Sequence, residues 1–267
     1  MIEEIVSYIK NKIQNIEPDT GIILGSGLGS IANEIKNPIT IPYSEIPHFP
    51  QSTVVGHKGM LIIGQLQQHN VICMQGRFHL YEGHPPQIIN TIIQAFKSLG
   101  IKQLIVTNAA GSLNLDYAPG SIMMINDHIN FSGCNPLIGA NNEKYGPRFP
   151  SMMNAYTPKL RTKMHQIANQ LQIPLHEGVY MMVLGPNFET PAEIKAFKIL
   201  GADAVGMSTV PEVICATRCG IDVLGLSIIT NYGSGMTSQQ LSHEETLLQG
   251  QQASNNLSKL IKTFLED

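Results

Sequence analysis

Residues Gly21 to Ser30 read GIILGSGLGS, a short apolar run that breaks into alternating glycines and serines. Four apolar-compatible residues bounded by a turn suit a strand buried on both faces. The same pattern recurs downstream. Gln103 to Thr107 runs into NAAGSL, Asp203 to Met207 runs into STVPE, and Val223 to Thr230 ends at Asn231. Amphipathic stretches lie between these runs, which argues for an α/β protein. Further strands are expected at Leu61 to Gly64, Val71 to Met74, Ser121 to Asp127 and Gly178 to Val183. Helices are expected at the N-terminus, from Pro85-Pro86 to near Gly100, from Pro158 to Leu171, after Pro191, from Thr209 to Gly220, and after Ser242. Three of these helix starts carry capping-box spacing: Thr190 with Glu193, Thr209 with Glu212, and Ser242 with Glu245. No linker or repeat interrupts the chain. The expectation is therefore a single domain over residues 1–267, a mixed twisted β-sheet flanked by helices.

Composition narrows the function classes. Of 267 residues, 43% are hydrophobic, enough for a sizeable core, and only 14% are charged. That low charge points to surface buried between subunits. The formal net charge of −3 favours neither nucleic acid nor an anionic membrane, so any phosphate site must be local. The cysteines, Cys73, Cys134, Cys215 and Cys219, form no C-x-x-C pair and read as reduced core thiols of a cytoplasmic protein. No metal site is expected, because no Cys/His spacing suits one. The opening MIEEIVSYIKNKI is amphipathic at Ile2, Ile5, Val6, Ile9 and Ile13, with acidic residues, unlike a signal peptide.

Several loops carry residues suited to an anion. GSGLGS offers backbone N–H groups and Ser26 to a phosphate. Its glycines do not keep the dinucleotide spacing G-x-G-x-x-G, and no acidic residue ends a second strand at the ribose-binding position. A plain tight turn is the competing reading. GHKG at Gly56 to Gly59 sets His57 between two glycines. GRFHLYEGH at Gly76 to His84 holds Arg77, His79 and Tyr81. Arg77 suits bidentate phosphate contact, although each loop alone also reads as an ordinary polar surface. A 25-residue irregular stretch at 132–156, rich in Gly, Pro and Asn, suggests an interface or functional loop.

A second group of residues suits a flat heterocycle. GPNFETPAE at Gly185 to Glu193 places Phe188 beside Glu189 just before a capped helix. A ring face and an acceptor-only carboxylate fit a planar base with an N–H edge. A core Phe beside a solvated Glu is the alternative. Asn231 adds an amide that donates and accepts. Met207 and Ser208 stand at a strand end, and His243 falls in a helix's first turn, where a solvent-facing role is the bland reading. No nucleophile–base pair stands out. This favours an enzyme whose nucleophile is itself a substrate, such as phosphate.

The set of motifs resembles the trimeric purine nucleoside phosphorylases of nucleoside phosphorylase family 2. The matching strings are GSGLGS, VGHKG, GRFHLYEGH, TNAAGSL, GPRFPSM, GPNFETPAE, GADAVGMSTVPEV, ITN and SHEE, in family order from Gly25 to Glu245. The resemblance implies a nucleoside-phosphorylase-like fold. It implies a phosphate site from Ser26, His57, Arg77, His79, the backbone at Ala109, and Ser208. Tyr81 and Met207 look like ribose contacts and His243 like the 5′-hydroxyl partner. Phe188, Glu189 and Asn231 look like the base site. Phe149, in GPRFPSM, is similar to a residue that reaches the neighbouring subunit's pocket of a homotrimer. His79, Glu189 and Asn231 would carry the catalytic burden.

The implied reaction is reversible phosphorolysis of 6-oxopurine nucleosides, inosine and guanosine among them, to the free base and ribose 1-phosphate in purine salvage. Inorganic phosphate would be co-substrate, with no organic cofactor or metal. The sequence departs from the mammalian pattern in NYGSGMTSQQ at 231–240 and at Thr246. The competing readings are a methylthioadenosine phosphorylase, an NAD-dependent dehydrogenase resting on GSGLGS alone, and a non-catalytic nucleoside-binding protein.

Overall fold

The sheet is built around one long strand, β5 (Gln103–Ser112). The computed structural model describes residues 1–51, 54, 57–237 and 243–266, and the side chains of 243, 245–247 and 252 lie outside that description. Along one edge, β5 pairs in parallel with β9 (Asp222–Tyr232) over its whole length. Along the other edge it pairs first with β1 (Thr20–Leu24), through Val106, and then with β8 (Ala204–Gly206), from Gly111. Thr107 to Ala110 pair with neither strand on that edge.

From β1 the sheet continues outward through β4 (His69–Gln75), β3 (Met60–Leu66) and the edge strand β2 (Lys36–Pro42). From β8 it continues through β7 (Leu175–Met182) and β6 (Ile122–Asn130) to β9, which returns to β5. The pairing of β9 with both β6 and β5 closes five strands into a ring. The other four form an open wing. This is the expected mixed α/β architecture, with closure as the added feature.

The wing and ring are covered on both faces. In β1, Ile23 packs with one core cluster, and Ile22 and Leu24 with the other. That is the period-two alternation of a strand buried on both sides. The first cluster holds the apolar faces of α1 (Ile2–Ile13), α2 (Gln87–Leu99) and α5 (Val210–Arg218). The second holds α3 (Pro158–Gln170) and α6 (His243–Phe264). In α2, Ile89, Ile92, Ile93, Phe96 and Leu99 keep helical spacing, and Gly100 ends the helix at φ 106°. α4 (Pro191–Ile199) anchors a smaller cluster through Ile194 and Phe197.

Three sequence expectations are corrected. The strand expected at Gln103 to Thr107 runs further: β9 supplies ladder partners as far as Ser112, so NAAGS lies inside β5. Asn231 likewise lies within β9, which runs on to Tyr232. β2 was not foreseen, because KNPITIP carries two prolines. An edge strand tolerates them, since only one side of it donates to the ladder. The helix start at Ser242 with Glu245 lies outside the described residues. Cys73, Cys215 and Cys219 are buried free thiols, and Cys134 is half-buried.

Candidate active site

A cavity of about 330 Å³ opens where β1 and β8 part from β5, and Asn108, Ala109, Ala110 and Gly111 form one wall. Ligands of open α/β sheets bind at such topological switch points. Gly25, at the end of β1, closes the wall tightly: its N–H donates to Thr107 Oγ1 at 3.1 Å, and a Cβ there would sit 2.7 Å from Asn108 Cα. Ser26 therefore enters the cavity lining directly from the strand end.

One group of donors is drawn together beside Asn108. Arg77 is 1% exposed yet lines the cavity. Its Nη1 donates to the Thr107 carbonyl at 2.8 Å, Ser208 Oγ at 2.9 Å and Thr209 Oγ1 at 3.1 Å, and its Nε lies 3.1 Å from the Glu212 carboxylate. The Arg77 backbone N–H donates to His57 Nδ1 at 3.1 Å. Nδ1 also lies 3.2 Å from the Arg77 carbonyl, and Nε2 lies 3.1 Å from Ser26 Oγ. His57 thus stands behind Ser26 rather than on the cavity wall. Burial, and then the neighbouring His79, hold His57 down at about 4, so it is neutral near pH 7. Burial also lowers His79, against the opposing pull of Glu82, whose carboxylate lies 3.3 Å from Nδ1. The rings of His57, His79 and Tyr81 stack in series, at 5.2 and 4.7 Å between centroids. Burial pushes Tyr81 up to about 12, so its hydroxyl stays protonated.

A different group gathers three residues along β5, about 10 Å away by strand rise. Here the β5–β9 ladder slips: Ala110 faces Ile229, but Gly111 faces Asn231. Thr230 is the extra residue, and this bulge brings both Thr230 and Asn231 to the cavity. Asn231 is oriented by its neighbours. Thr230 Oγ1 donates to its Oδ1 at 2.8 Å, and its Nδ2 donates to the Tyr232 carbonyl at 3.0 Å, leaving one N–H for a ligand. A Cβ at Gly111 would lie 3.0 Å from Asn231 Nδ2 and would press on the amide. Phe188 and Glu189 enter from the loop before α4. The capping box expected there is made: Thr190 Oγ1 accepts from the Glu193 N–H at 3.2 Å, and Glu193 accepts from the Thr190 N–H at 2.7 Å. Burial raises Glu189 above the usual carboxylate value. Gly185, at φ 72°, allows Met207 close approach; a Cβ would sit 2.4 Å from its sulfur.

The second expected capping box fails for a physical reason. Thr209 makes no cap bond and adopts φ 78°, and Glu212 faces Arg77 instead of the helix end. Ser26, Arg77, His79, Tyr81, Ala109, Phe188, Glu189, Met207, Ser208 and Asn231 all line the one cavity. Phe149 does not; it is 89% exposed on the 132–156 loop. The His243 side chain lies outside the described residues. Sequence reasoning gave Asn108, Thr209, Glu212 and Thr230 no site role of their own, because their polarity is ordinary for strand and helix ends. Among the described residues no group of three metal-ligating side chains occurs, and no helix is long and apolar enough to cross a membrane.

A polar group around Arg77 and a second group around Glu189 and Asn231 share one cavity at a switch point, and comparison gives the chain its class. The family model of the phosphorylase superfamily matches residues 19–266, and the chain belongs to that superfamily. It is 47% identical to purine nucleoside phosphorylase 1 of Bacillus subtilis, across 99% of this chain and 97% of that protein. It is 48% identical to the purine nucleoside phosphorylase of Bos taurus, across 93% and 88% of the two chains. The crystal structure of Schistosoma mansoni purine nucleoside phosphorylase with inosine superposes with a TM-score of 0.94, at 40% identity over 100% of this chain and 95% of that one. Within the superfamily, the chain's place is with the purine nucleoside phosphorylases.

Proposed function

We infer that this chain catalyses reversible phosphorolysis of purine nucleosides, and that its substrates are the 6-oxopurine nucleosides inosine, guanosine and their deoxy forms. The observation that carries the reading is the juxtaposition in one cavity of an anion cradle around Arg77 and Ser208 and a base pocket around Glu189 and Asn231. Phosphate oxygens take the donors of Ser26, Arg77, Ser208 and the Ala109 backbone, with the His79 ring beside them. Tyr81 and Met207 flank the sugar, and His243 serves its 5′-hydroxyl.

Phosphate attacks C1′ as the bond from C1′ to the purine nitrogen breaks, and the electron pair leaves with the base. The sugar passes through an oxocarbenium-like state that the bound phosphate stabilises. The free N–H of Asn231 donates to N7 as negative charge builds on the purine. Because Asn231 is already oriented by Thr230 and Tyr232, little reorganisation is needed. Glu189 accepts from N1–H and Phe188 covers the ring. Adenine has no N1–H, so it leaves the carboxylate unpaired, a penalty of roughly 1–3 kcal/mol. The reaction needs no metal or organic cofactor. The working form is a homotrimer in the cytoplasm, with Phe149 completing the neighbour's pocket; its 89% exposure in the isolated chain and the low charge content support this.

The test is a nucleoside panel assayed with and without phosphate. Phosphate-dependent release of hypoxanthine from inosine is expected. Activity on methylthioadenosine but not on inosine overturns the base assignment.

A further inference from the structure

Thr209 and Glu212 are the two residues of a capping box that α5 does not make. Both are turned instead onto Arg77. Thr209 is the more telling. A β-branched residue at φ 78° and ψ −50° is rare and costly, and such strain persists only where surrounding contacts impose it. Here the contacts are specific. Thr209 Oγ1 accepts from Arg77 Nη1 at 3.1 Å and from Asn108 Nδ2 at 2.9 Å, and lies 3.1 Å from Ser208 Oγ. The hydroxyl is 0% exposed with its residue, so it serves the protein and not solvent. Glu212 is 4% exposed and fixes Arg77 from its Nε side.

We propose that Thr209 and Glu212 are positioning residues that hold the Arg77 guanidinium, and with it Ser208 and Asn108, in register with the bound phosphate. The proposal rests on the phosphorylase reading above. The helix gives up its own cap so that one hydroxyl can be shared between a cation, a strand amide and a phosphate-site serine. Neither residue is among the cavity-lining groups, so neither touches substrate. Each acts through Arg77.

The test separates phosphate from nucleoside. Thr209→Val keeps the shape and deletes the hydroxyl. Removing a hydrogen bond to a charged group predicts a rise in KM for phosphate of roughly tenfold to a hundredfold. KM for inosine should stay within about twofold, and Thr209→Ser should restore near-native values, because it returns the oxygen. Glu212→Asp keeps the charge but withdraws the carboxylate by one methylene, and should raise the phosphate KM selectively as well. If Thr209→Val does not fold, Thr209→Ala removes the same oxygen with less crowding at φ 78° and decides the matter. An unchanged phosphate KM in a folded hydroxyl-less variant overturns the proposal, as does an equal rise in both KM values. If the wild-type protein shows no phosphate-dependent cleavage, the functional reading fails by itself. Calorimetric titration with inorganic phosphate then tests positioning alone, with weaker binding by Thr209→Val expected and equal binding fatal to it.

Discussion

Glu189 is the residue on which the base assignment depends. Its carboxylate is partly desolvated in the loop before α4, and on the proposed reading a purine N1–H would supply the hydrogen bond that water cannot. Glu189→Gln replaces an ionic acceptor by an amide that can present a donor to that N–H. The kcat/KM for inosine should fall by at least about tenfold, while thermal stability stays near native. A drop in stability with unchanged turnover would instead mean a packing role. His57 makes a different prediction, about pH. In an unfolded chain its ring titrates near 6.5, and in the fold near 4. Between those values the unfolded chain binds a proton that the native ring refuses, so stability is complete above about pH 6.5 and is lost as the pH falls toward 4. The lowered His79 adds to the same trend. Melting temperatures measured at intervals from about pH 7 to 4 should decline, and His57→Gln, which cannot titrate, should flatten the decline. A flat wild-type profile would contradict the burial argument.

At the scale of elements, α5 joins the Arg77 cluster to the 132–156 loop. Its N-terminal end carries the Arg77 contacts. At its other end Arg218, 4% exposed, donates to the Asn142 carbonyl at 2.7 Å and Asn141 Oδ1 at 2.8 Å, and more distantly to the Pro147 carbonyl at 3.4 Å. This one side chain ties the 132–156 loop to the helix. Arg218→Met keeps the bulk and loses these bonds, leaving several acceptors in that loop unpartnered. A loss of about 1–3 kcal/mol is expected in urea unfolding, seen as a lower midpoint. Elements of this kind explain what was legible in the sequence. The box at Thr190 and Glu193 is local and formed as read. The box at Thr209 and Glu212 has the same spacing but was overruled by Arg77, more than 130 residues earlier in the chain, which no local pattern records. NAAGS looked like a strand end because its residues are small. The strand continues only because β9 runs beside it, a long-range fact. The bulge that exposes Thr230 is of the same sort, so Asn231 was found by its chemistry while its neighbour was missed.

For the whole molecule, the question is what the isolated chain leaves incomplete. Phe149 and Met153 are each 89% exposed on a loop that is otherwise pinned down by Arg218 and by Arg148, which donates to the Gly139 carbonyl at 2.6 Å. A well-held loop with bare apolar side chains suits an intersubunit contact. If Phe149 completes a neighbour's pocket, Phe149→Ala should raise KM for inosine several-fold with little change in melting temperature. Mixed trimers of Phe149→Ala and Glu189→Gln subunits should then be more active than either parent, because some sites regain both residues. Activities that merely average would exclude a shared site. The stretch of β5 from Thr107 to Ala110 has a broader meaning. The void beside it exists because one strand stops early and another starts late, so it is specified by lengths of backbone and not by any side chain. Point substitutions cannot relocate it. On the proposed reading the topology sets the anion's place and Ser26, Arg77 and Ser208 supply its donors, while the loop before α4 is free to be rewritten for another heterocycle. On that reading chemistry and selectivity rest on separate hereditary footings in this protein: where the reaction takes place belongs to the architecture, and the choice of base belongs to a few replaceable residues.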